Sequence, residues 1–250
     1  LVTTSKWIDI DGDSWEDLIV AGEWMSVRFF KNNFGKSFTD VTDKVYLNDQ
    51  RGWWYDIEKG DFDNDGDMDL ILGNLGLNYK YQASEEKPFR IYLNDFDENS
   101  TYDIVLSYKS DDTEYPVRGR QCSSQQMPAI KDKFQNYNTF ASASLEEIYS
   151  NKMLEESLNY NITSFHSVYL ENKEGVFRAK PLNYQAQFSN INSIVVKDVD
   201  DDGNLDAIIG GNLYNSEVET PRNDASYGIW LKGDGNGGFK AVLPRESGLV

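Results

Sequence analysis

Four short acidic segments recur along the chain, and their residue types and spacing suit a cation-binding loop. Each carries Asp or Asn at positions 1, 3, 5 and 9 of a nine-residue run. Crowded carboxylates repel one another and raise each other's pKa, and a hard divalent cation relieves that repulsion. Calcium takes about six to eight oxygen ligands, and an alternating Asp-x-Asp-x-Asp run supplies three from one side. The predicted side-chain ligands are Asp9, Asp11, Asp13 and Asp17 (loop one); Asp61, Asp63, Asp65 and Asp69 (loop two); Asp95, Asp97, Asn99 and Asp103 (loop three); and Asp198, Asp200, Asp202 and Asp206 (loop four).

A backbone carbonyl at position 7 is predicted to add a further ligand in each loop. Calcium is the expected ion, with up to four structural sites, because magnesium needs a tighter octahedron and zinc prefers the His and Cys ligands that the loops lack. Loops two and four have glycine at the sharp turn, whereas loops one and three have serine there. We expect weaker binding at loop three, where Asn99 replaces an aspartate. The position-7 residues are Trp15, Asp67, Thr101 and Asn204.

The composition argues against several other classes of function. A formal net charge of -18, from 42 acidic and 24 basic residues, disfavours a nucleic-acid partner. The single histidine, His166, and the single cysteine, Cys122, have no surrounding motif of nucleophilic catalysis. Nearly all the clustered carboxylates are assigned to metal, so we predict no catalytic residues, no organic cofactor and no enzyme. No apolar run approaches the roughly 20 residues of a membrane span.

The residues around each loop indicate the elements that position it. A β-branched run follows each loop and strand-like residues precede it, so each unit reads as strand, acidic loop, strand. After three of the loops come an apolar strand, a Gly/Asn turn and a strand that opens on phenylalanine, at residues 27–38, 168–177 and 229–239. Gly and Asn supply the positive φ of tight hairpins. Loop and hairpin together give about four strands, the size of a propeller blade.

We therefore predict an all-β fold made of four-stranded β-propeller blades in one propeller fragment spanning the chain. The expected blades are approximately residues 1–45, 46–92, 93–185 and 186–250. Loop two is not followed by a clear Gly-x-Phe hairpin, and a long gap separates loops three and four. The chain starts without a methionine, as expected for a mature or excised piece of a longer protein.

A small α-helical insertion is predicted at about residues 121–160. Residues 123–134 and 142–149 read as short amphipathic helices, and Ser144 with Glu147 resembles a capping box. Leu145, Ile148 and Tyr149 fall on one helical face. This face is expected to pack on the propeller, and the alternative is a cap that docks a partner.

The acidic loops with their following Leu/Ile runs resemble FG-GAP and VCBS repeats. The resemblance implies blades like those of integrin α-chain propellers, in a ring of roughly seven, with calcium in the loops. Gly52-Trp53-Trp54 before loop two is similar to the cartilage acidic protein (ASPIC/UnbV) type. Asp224-Ala-Ser-Tyr-Gly228 before a Gly-rich hairpin is similar to exported VCBS-repeat proteins of Gram-negative bacteria.

These features favour a calcium-stiffened scaffold that presents loops to a protein partner at the cell surface or in an outer-membrane-associated assembly. Extracellular modules bind calcium with Kd of about 10⁻⁴–10⁻³ M, which favours an exported protein in a calcium-rich space. The alternative is a carbohydrate-binding module, free or attached to a polysaccharide-degrading enzyme. In that case Trp53 and Trp54 would stack on sugar rings, although packing inside or between blades explains them too.

Overall fold

The computed structural model describes residues 1–46, 50–216 and 220–249. The chain divides into two compact units, each treated below by itself. Unit 1 comprises Leu1–Lys80 and Phe165–Val250, and unit 2 is the continuous segment Tyr81–Ser164. This differs from the single propeller fragment expected from the sequence, because one continuous segment interrupts the chain of unit 1.

The described residues are mostly β-strand. The strands are β1 (Val2–Ile8), β2 (Asp17–Ser26), β3 (Arg28–Asn32), β4 (Phe38–Asp40), β5 (Arg51–Trp53), β6 (Asp56–Gly60), β7 (Asp69–Gly73), β8 (Phe89–Asn94), β9 (Asp103–Ser110), β10 (Thr113–Pro116), β11 (Leu158–Ile162), β12 (Val168–Lys173), β13 (Val176–Pro181), β14 (Ser193–Lys197), β15 (Asp206–Gly210), β16 (Ile229–Gly233) and β17 (Phe239–Val242). The helices are α1 (Thr42–Val45), α2 (Arg120–Gln126), α3 (Ala129–Lys133), α4 (Tyr137–Ala141), α5 (Leu145–Tyr149), α6 (Asn151–Glu155) and α7 (Pro244–Ser247), and a 3₁₀ turn spans Tyr184–Gln187.

Unit 1 contains antiparallel sheets of the size expected for propeller blades. The first has the order β1-β2-β3-β4, with β5 also paired to β2, and the last has the order β14-β15-β16-β17. The hairpins predicted at residues 27–38 and 229–239 form the β3–β4 and β16–β17 pairs. Four-stranded sheets of this kind agree with FG-GAP-type blades, and a closed ring of about seven blades stays a prediction.

The middle sheet of unit 1 joins strands that lie far apart in the sequence. Its order is β13-β12-β7-β6, and Leu70 of β7 pairs with Leu170 of β12. The hairpin at residues 168–177 therefore belongs to the strands around loop two, although the boundaries 46–92 and 93–185 had placed it with loop three. Sequence distance misled this assignment, because all of unit 2 is inserted between β7 and β12.

The core of unit 1 lies on both faces of this middle sheet. Successive side chains of a strand point to opposite faces. Leu70 and Leu72 of β7 join a cluster with Phe29 and Trp54, whereas Ile71 joins a second cluster with Ile209 and others. All five residues of β7 are buried. The strand after loop two is thus fixed by apolar packing on both sides.

Unit 2 combines one sheet with the helical segment. The sheet has the order β10-β9-β8-β11, and loop three connects β8 to β9. The apolar face of α5 is buried: Leu145, Ile148 and Tyr149 are each at most 5% exposed. They form one apolar cluster with Phe96 of loop three and Val105 of β9. The predicted insertion at 121–160 thus forms part of a larger unit that also contains loop three.

The helices of unit 2 are shorter than the sequence predicted. The expected helix at 123–134 is split into α2 and α3 at Met127 and Pro128. Proline lacks an N–H donor and disfavours helical angles in the preceding residue, and Met127 is extended with φ −124°. The predicted capping box is present: Ser144 Oγ accepts from the Glu147 N–H at 3.2 Å, and Glu147 Oε2 accepts from the Ser144 N–H at 2.7 Å. Within the described residues, every helix is too short or too polar to cross a membrane.

Candidate metal centre

Each acidic loop joins two adjacent antiparallel strands of one sheet. Loops one to four connect β1 to β2, β6 to β7, β8 to β9 and β14 to β15. Positions 4 and 6 have a positive φ in all four loops. Glycine takes this angle freely at position 6 of loops two and four, whereas Ser14 and Ser100 hold it at 69° and 70°. One backbone path therefore recurs in every loop.

The position-1 aspartate folds each loop around its own carboxylate. Asp61 accepts from the backbone N–H groups of Asp65 and Gly66, both at 3.1 Å, and the corresponding bonds occur at Asp9, Asp95 and Asp198. The position-5 side chain accepts from the position-7 N–H at 2.8–3.0 Å. These bonds hold Trp15, Asp67, Thr101 and Asn204 beside the acidic side chains; that their carbonyls bind metal stays a prediction.

The position-9 aspartate ties each loop to its surroundings and is nearly inaccessible to solvent. Asp17, Asp69 and Asp206 are 0% exposed and Asp103 is 3% exposed. One oxygen accepts from the position-2 N–H at 3.0–3.1 Å. In unit 1 the other oxygen accepts a backbone N–H from the neighbouring hairpin strand, for example Asn172 at 2.8 Å.

Loop three makes that last contact differently. Asp103 Oδ1 accepts from the side-chain amide of Gln126 in α2 at 3.1 Å. Gln126 could not be identified from the sequence, because nothing in its spacing links it to a loop some twenty residues earlier. A helix of the insertion thus replaces the hairpin that serves the other loops.

Three carboxylates converge in every loop, with one ligand oxygen from each lying within 4.8 Å of the others. The predicted sets of four are therefore brought together in part. Position 5 joins the cluster only in loop one, and position 9 joins it in the others; position 5 of loop three is an amide, Asn99. The converging groups are Asp9, Asp11 and Asp13; Asp61, Asp63 and Asp69; Asp95, Asp97 and Asp103; and Asp198, Asp200 and Asp206.

In three of the loops, a lysine from the neighbouring hairpin contacts the acidic side chains. The loop pattern in the sequence did not predict these lysines. Lys173 Nζ lies 2.5 Å from Asp63 and 2.6 Å from Asp65. Lys31 contacts Asp11 and Asp13, and Lys232 contacts Asp200 and Asp202, which are the same loop positions. A scan for basic residues in the hairpins would have found these lysines as candidates.

The pKa values at position 5 are lowered by this environment. The backbone N–H of Trp15, followed by Lys31, lowers the pKa of Asp13 below its usual value. The hydrogen bond from Lys173 is the main cause that lowers the pKa of Asp65, and Lys232 does the same for Asp202. These carboxylates are therefore ionised at neutral pH.

Burial acts in the opposite direction at position 9 of loops one, two and three. It raises the pKa of Asp17 and Asp103, and it raises the pKa of Asp69 to about 6. Hydrogen bonds from Asn172 and from the Tyr169 hydroxyl, the latter at 2.7 Å, offset part of this shift. A cation beside Asp69 would favour its ionised form.

Two carboxylate oxygens in these clusters have unused capacity to accept. Asp63 Oδ1 and Asp97 Oδ1 are buried and have no hydrogen-bond partner among the described residues. The Asp63 side chain is only 6% exposed, and its other oxygen is on Lys173. A buried acceptor without a partner carries a desolvation cost of about 1–3 kcal/mol or more, which a bound cation would remove. The clusters can therefore hold hard metal ions through oxygen ligands.

Other residues considered in the sequence lie apart from these clusters. Trp54 is fully buried, with its indole N–H donating to the Met25 carbonyl. Trp53 is half-buried and packs edge-on against Trp24 and Phe165. His166 is half-buried and its pKa is lowered by burial. Trp54 thus offers no face for a sugar.

Comparison with known proteins gives a partial match. Residues 9–72, which include loops one and two, match the family described as FG-GAP-like repeat. No curated protein matches the chain. The match supports an FG-GAP repeat protein of the type suggested by the loops, and the similarity to the ASPIC/UnbV type and to integrin α-chain propellers stays a prediction.

Proposed function

We propose that the acidic loops are structural calcium sites. The observation that carries this proposal is the convergence of three carboxylates in each of four loops of one backbone path. In loop two, the buried and unpartnered Asp63 Oδ1 adds an acceptor that a cation would satisfy. Asp9, Asp11, Asp13 and Asp17 and their counterparts in loops two to four would hold the ion when it binds.

The donor chemistry favours calcium over other ions. The candidate ligands in the four clusters are all carboxylate oxygens. Among the described residues, neither His166 nor Cys122 belongs to a cluster that could hold a metal ion. Zinc prefers nitrogen and sulfur ligands. Calcium accepts flexible oxygen coordination, whereas magnesium demands a near-ideal octahedron. Because each loop closes a strand pair, an ion there would stiffen the pair and act structurally.

We further propose that the protein is a non-enzymatic interaction module. FG-GAP repeats generally mediate protein interactions, and the match over residues 9–72 supports that role. A rigid sheet scaffold with exposed loops suits recognition of a protein partner. Calcium affinity in the range of extracellular modules would fit an exported protein, at the cell surface, in an outer-membrane-associated assembly or in the medium.

Calorimetric titration of the metal-free chain with calcium tests the metal proposal. We expect binding with a Kd of about 10⁻⁴–10⁻³ M, and weaker binding when Asp63→Asn removes the buried charge of loop two. Asp112→Asn, whose side chain is fully exposed, is the control. If the calcium-binding isotherms of Asp63→Asn and Asp112→Asn are the same, the assignment of a calcium site to loop two is contradicted. Filling of all four loops at submicromolar calcium would remove the argument for export.

Carbohydrate binding stays the second candidate, and the observations favour it less. In this role Trp53 and Trp54 would stack on sugar rings, but Trp54 is completely buried. A glycan array on the intact protein, beside affinity capture from the native membrane, separates the two roles. Specific glycan signals with no captured protein would favour the carbohydrate role.

A further inference from the structure

Aspartate at position 5 and a hairpin lysine occur together in this chain. Loops one, two and four have aspartate at position 5, and in each a lysine contacts both the position-3 and the position-5 carboxylates. Loop three has Asn99 at position 5. Among the described residues, no lysine or arginine forms an ion pair with its aspartates, and Asp97 Oδ1, like Asp63 Oδ1 of loop two, has no hydrogen-bond partner.

The lysines reach this place from two different positions in the hairpin strand. Phe30 pairs with Leu18 and Leu231 pairs with Ala207, and the next residue in each strand is the lysine, Lys31 or Lys232. Leu170 pairs with Leu70, but Lys173 stands three residues later. The same ammonium contact is therefore formed by side chains with different backbone origins. Its recurrence follows the charge of the loop rather than strand register.

The lysine equalises the formal charge of the four sites. In loops one, two and four, the four aspartates at positions 1, 3, 5 and 9 and one lysine sum to -3. In loop three, the three aspartates and neutral Asn99 give the same -3 without a lysine. The position-5 aspartate and the lysine thus form a matched pair that loop three lacks in both parts.

We propose that Lys31, Lys173 and Lys232 set the metal affinity of their loops, each offsetting the extra position-5 carboxylate. The inference rests on the proposed calcium function. Without metal, the ammonium bridges two carboxylates that would otherwise repel each other, and so it keeps the loop folded. With metal, it is a positive charge beside a divalent cation, and so it lowers the affinity. Loop three reaches a similar balance through Asn99.

The size of the effect follows from the separation of the two charges. The lysine lies about 2.5–3 Å from oxygens of carboxylates that would also contact the ion at about 2.3–2.6 Å. The two cations would then be roughly 5 Å apart. Coulomb repulsion at that distance in water, reduced by salt, corresponds to about a three- to tenfold loss of affinity. Removing the lysine should restore that factor.

Loop four offers a matched test. Lys232 contacts Asp200 and Asp202, whereas Lys240 is paired with it across β16 and β17, is exposed and forms no ion pair with any described residue. Lys232→Met and Lys240→Met each remove one positive charge from the same hairpin. The Gly203 amide, which donates to Asp198 at 2.9 Å, is a site-specific NMR reporter of calcium in loop four.

We expect Lys232→Met to raise the calcium affinity of loop four about three- to tenfold and to lower the melting temperature in chelator. Lys240→Met should change the affinity less than about twofold, because its ammonium is exposed to screening by salt and forms no ion pair with the carboxylates of loop four among the described residues. The double variant Asp202→Asn/Lys232→Met, which has the charge of loop three, should return to within about twofold of the parent.

Equal affinities for Lys232→Met and Lys240→Met, or a lower affinity for Lys232→Met, would overturn the inference while leaving calcium binding intact. If the Gly203 resonance of the parent does not shift when calcium is added, the proposed function is contradicted instead. In that case the stability of both variants in chelator still decides whether Lys232 holds the loop: equal melting temperatures would reject this role.

Discussion

Replacing Gly203 by alanine should strain loop four without creating a clash. Gly203 has φ +91°, and a Cβ built on it would meet nothing within 4 Å. Its N–H bond to Asp198 would remain, since alanine keeps the backbone donor. The expected effect is therefore purely conformational, at about 1–2 kcal/mol for a non-glycine residue in the left-handed region.

Gly210, at the end of β15 in the same sheet, provides the matched control. Its φ is not positive, and the nearest atom to an added Cβ is the Gly228 Cα at an ordinary 3.8 Å. Both substitutions reduce the entropy of the unfolded chain by a similar amount, worth about 0.4–1 kcal/mol. The difference between the variants thus isolates the strain at Gly203 and should be about 1–2 kcal/mol.

Urea denaturation in chelator measures this difference directly, and thermal melts should separate the two variants by roughly 2–8 °C. In calcium, Gly203→Ala should also weaken binding at loop four, because the ion needs the strained loop conformation. If Gly203→Ala and Gly210→Ala have the same free energy of unfolding, the left-handed turn does not contribute to the loop as argued.

Three further substitutions test separate contacts. Asp69→Ala removes a buried acceptor of three hydrogen bonds and should lower the free energy of unfolding in urea by about 2–4 kcal/mol. Asp112→Ala, at a fully exposed site, should change it by no more than about 0.5 kcal/mol. Similar losses in the two variants would argue against a stabilising role for the Asp69 hydrogen bonds. Tyr169→Phe removes a hydrogen bond that lowers the pKa of Asp69, so this pKa should rise above about 6. Because protonated Asp69 cannot bind a cation, calorimetry should show weaker calcium binding at pH 6 and nearly unchanged binding at about pH 8. A loss of binding that is the same at both pH values would contradict this cause. Glu147→Ala breaks the capping box of α5 and should cost about 1 kcal/mol in thermal or urea unfolding, more than the neighbouring Glu146→Ala; an equal cost would reject the cap.

Local features of the fold were predictable because short-range chemistry determines them. The strands on either side of each loop, the three hairpins and the Ser144–Glu147 cap follow from patterns of a few residues. The pairing of β7 with β12 was not predictable from such patterns. The two strands are separated by the whole of unit 2, and their partnership depends on nonlocal packing of Leu70 and Leu170.

The candidate site shows the same division. Asp9 and its counterparts were found because the loop pattern is contiguous, and three carboxylates do converge in each loop. The lysines and Gln126 were missed because they come from other elements and, for Lys173, from a different strand position. Met127 and Pro128 show a third case, where a helical pattern predicted one helix and the proline divided it.

Anomalous diffraction from crystals of the chain grown in calcium would show whether the acidic loops bind the ion. We expect an anomalous peak inside the Asp61, Asp63 and Asp69 cluster, with about six to eight oxygens at roughly 2.3–2.6 Å. One of these oxygens should be Asp63 Oδ1, which has no partner without metal. The absence of a peak from all four clusters at millimolar calcium would contradict the proposed calcium sites.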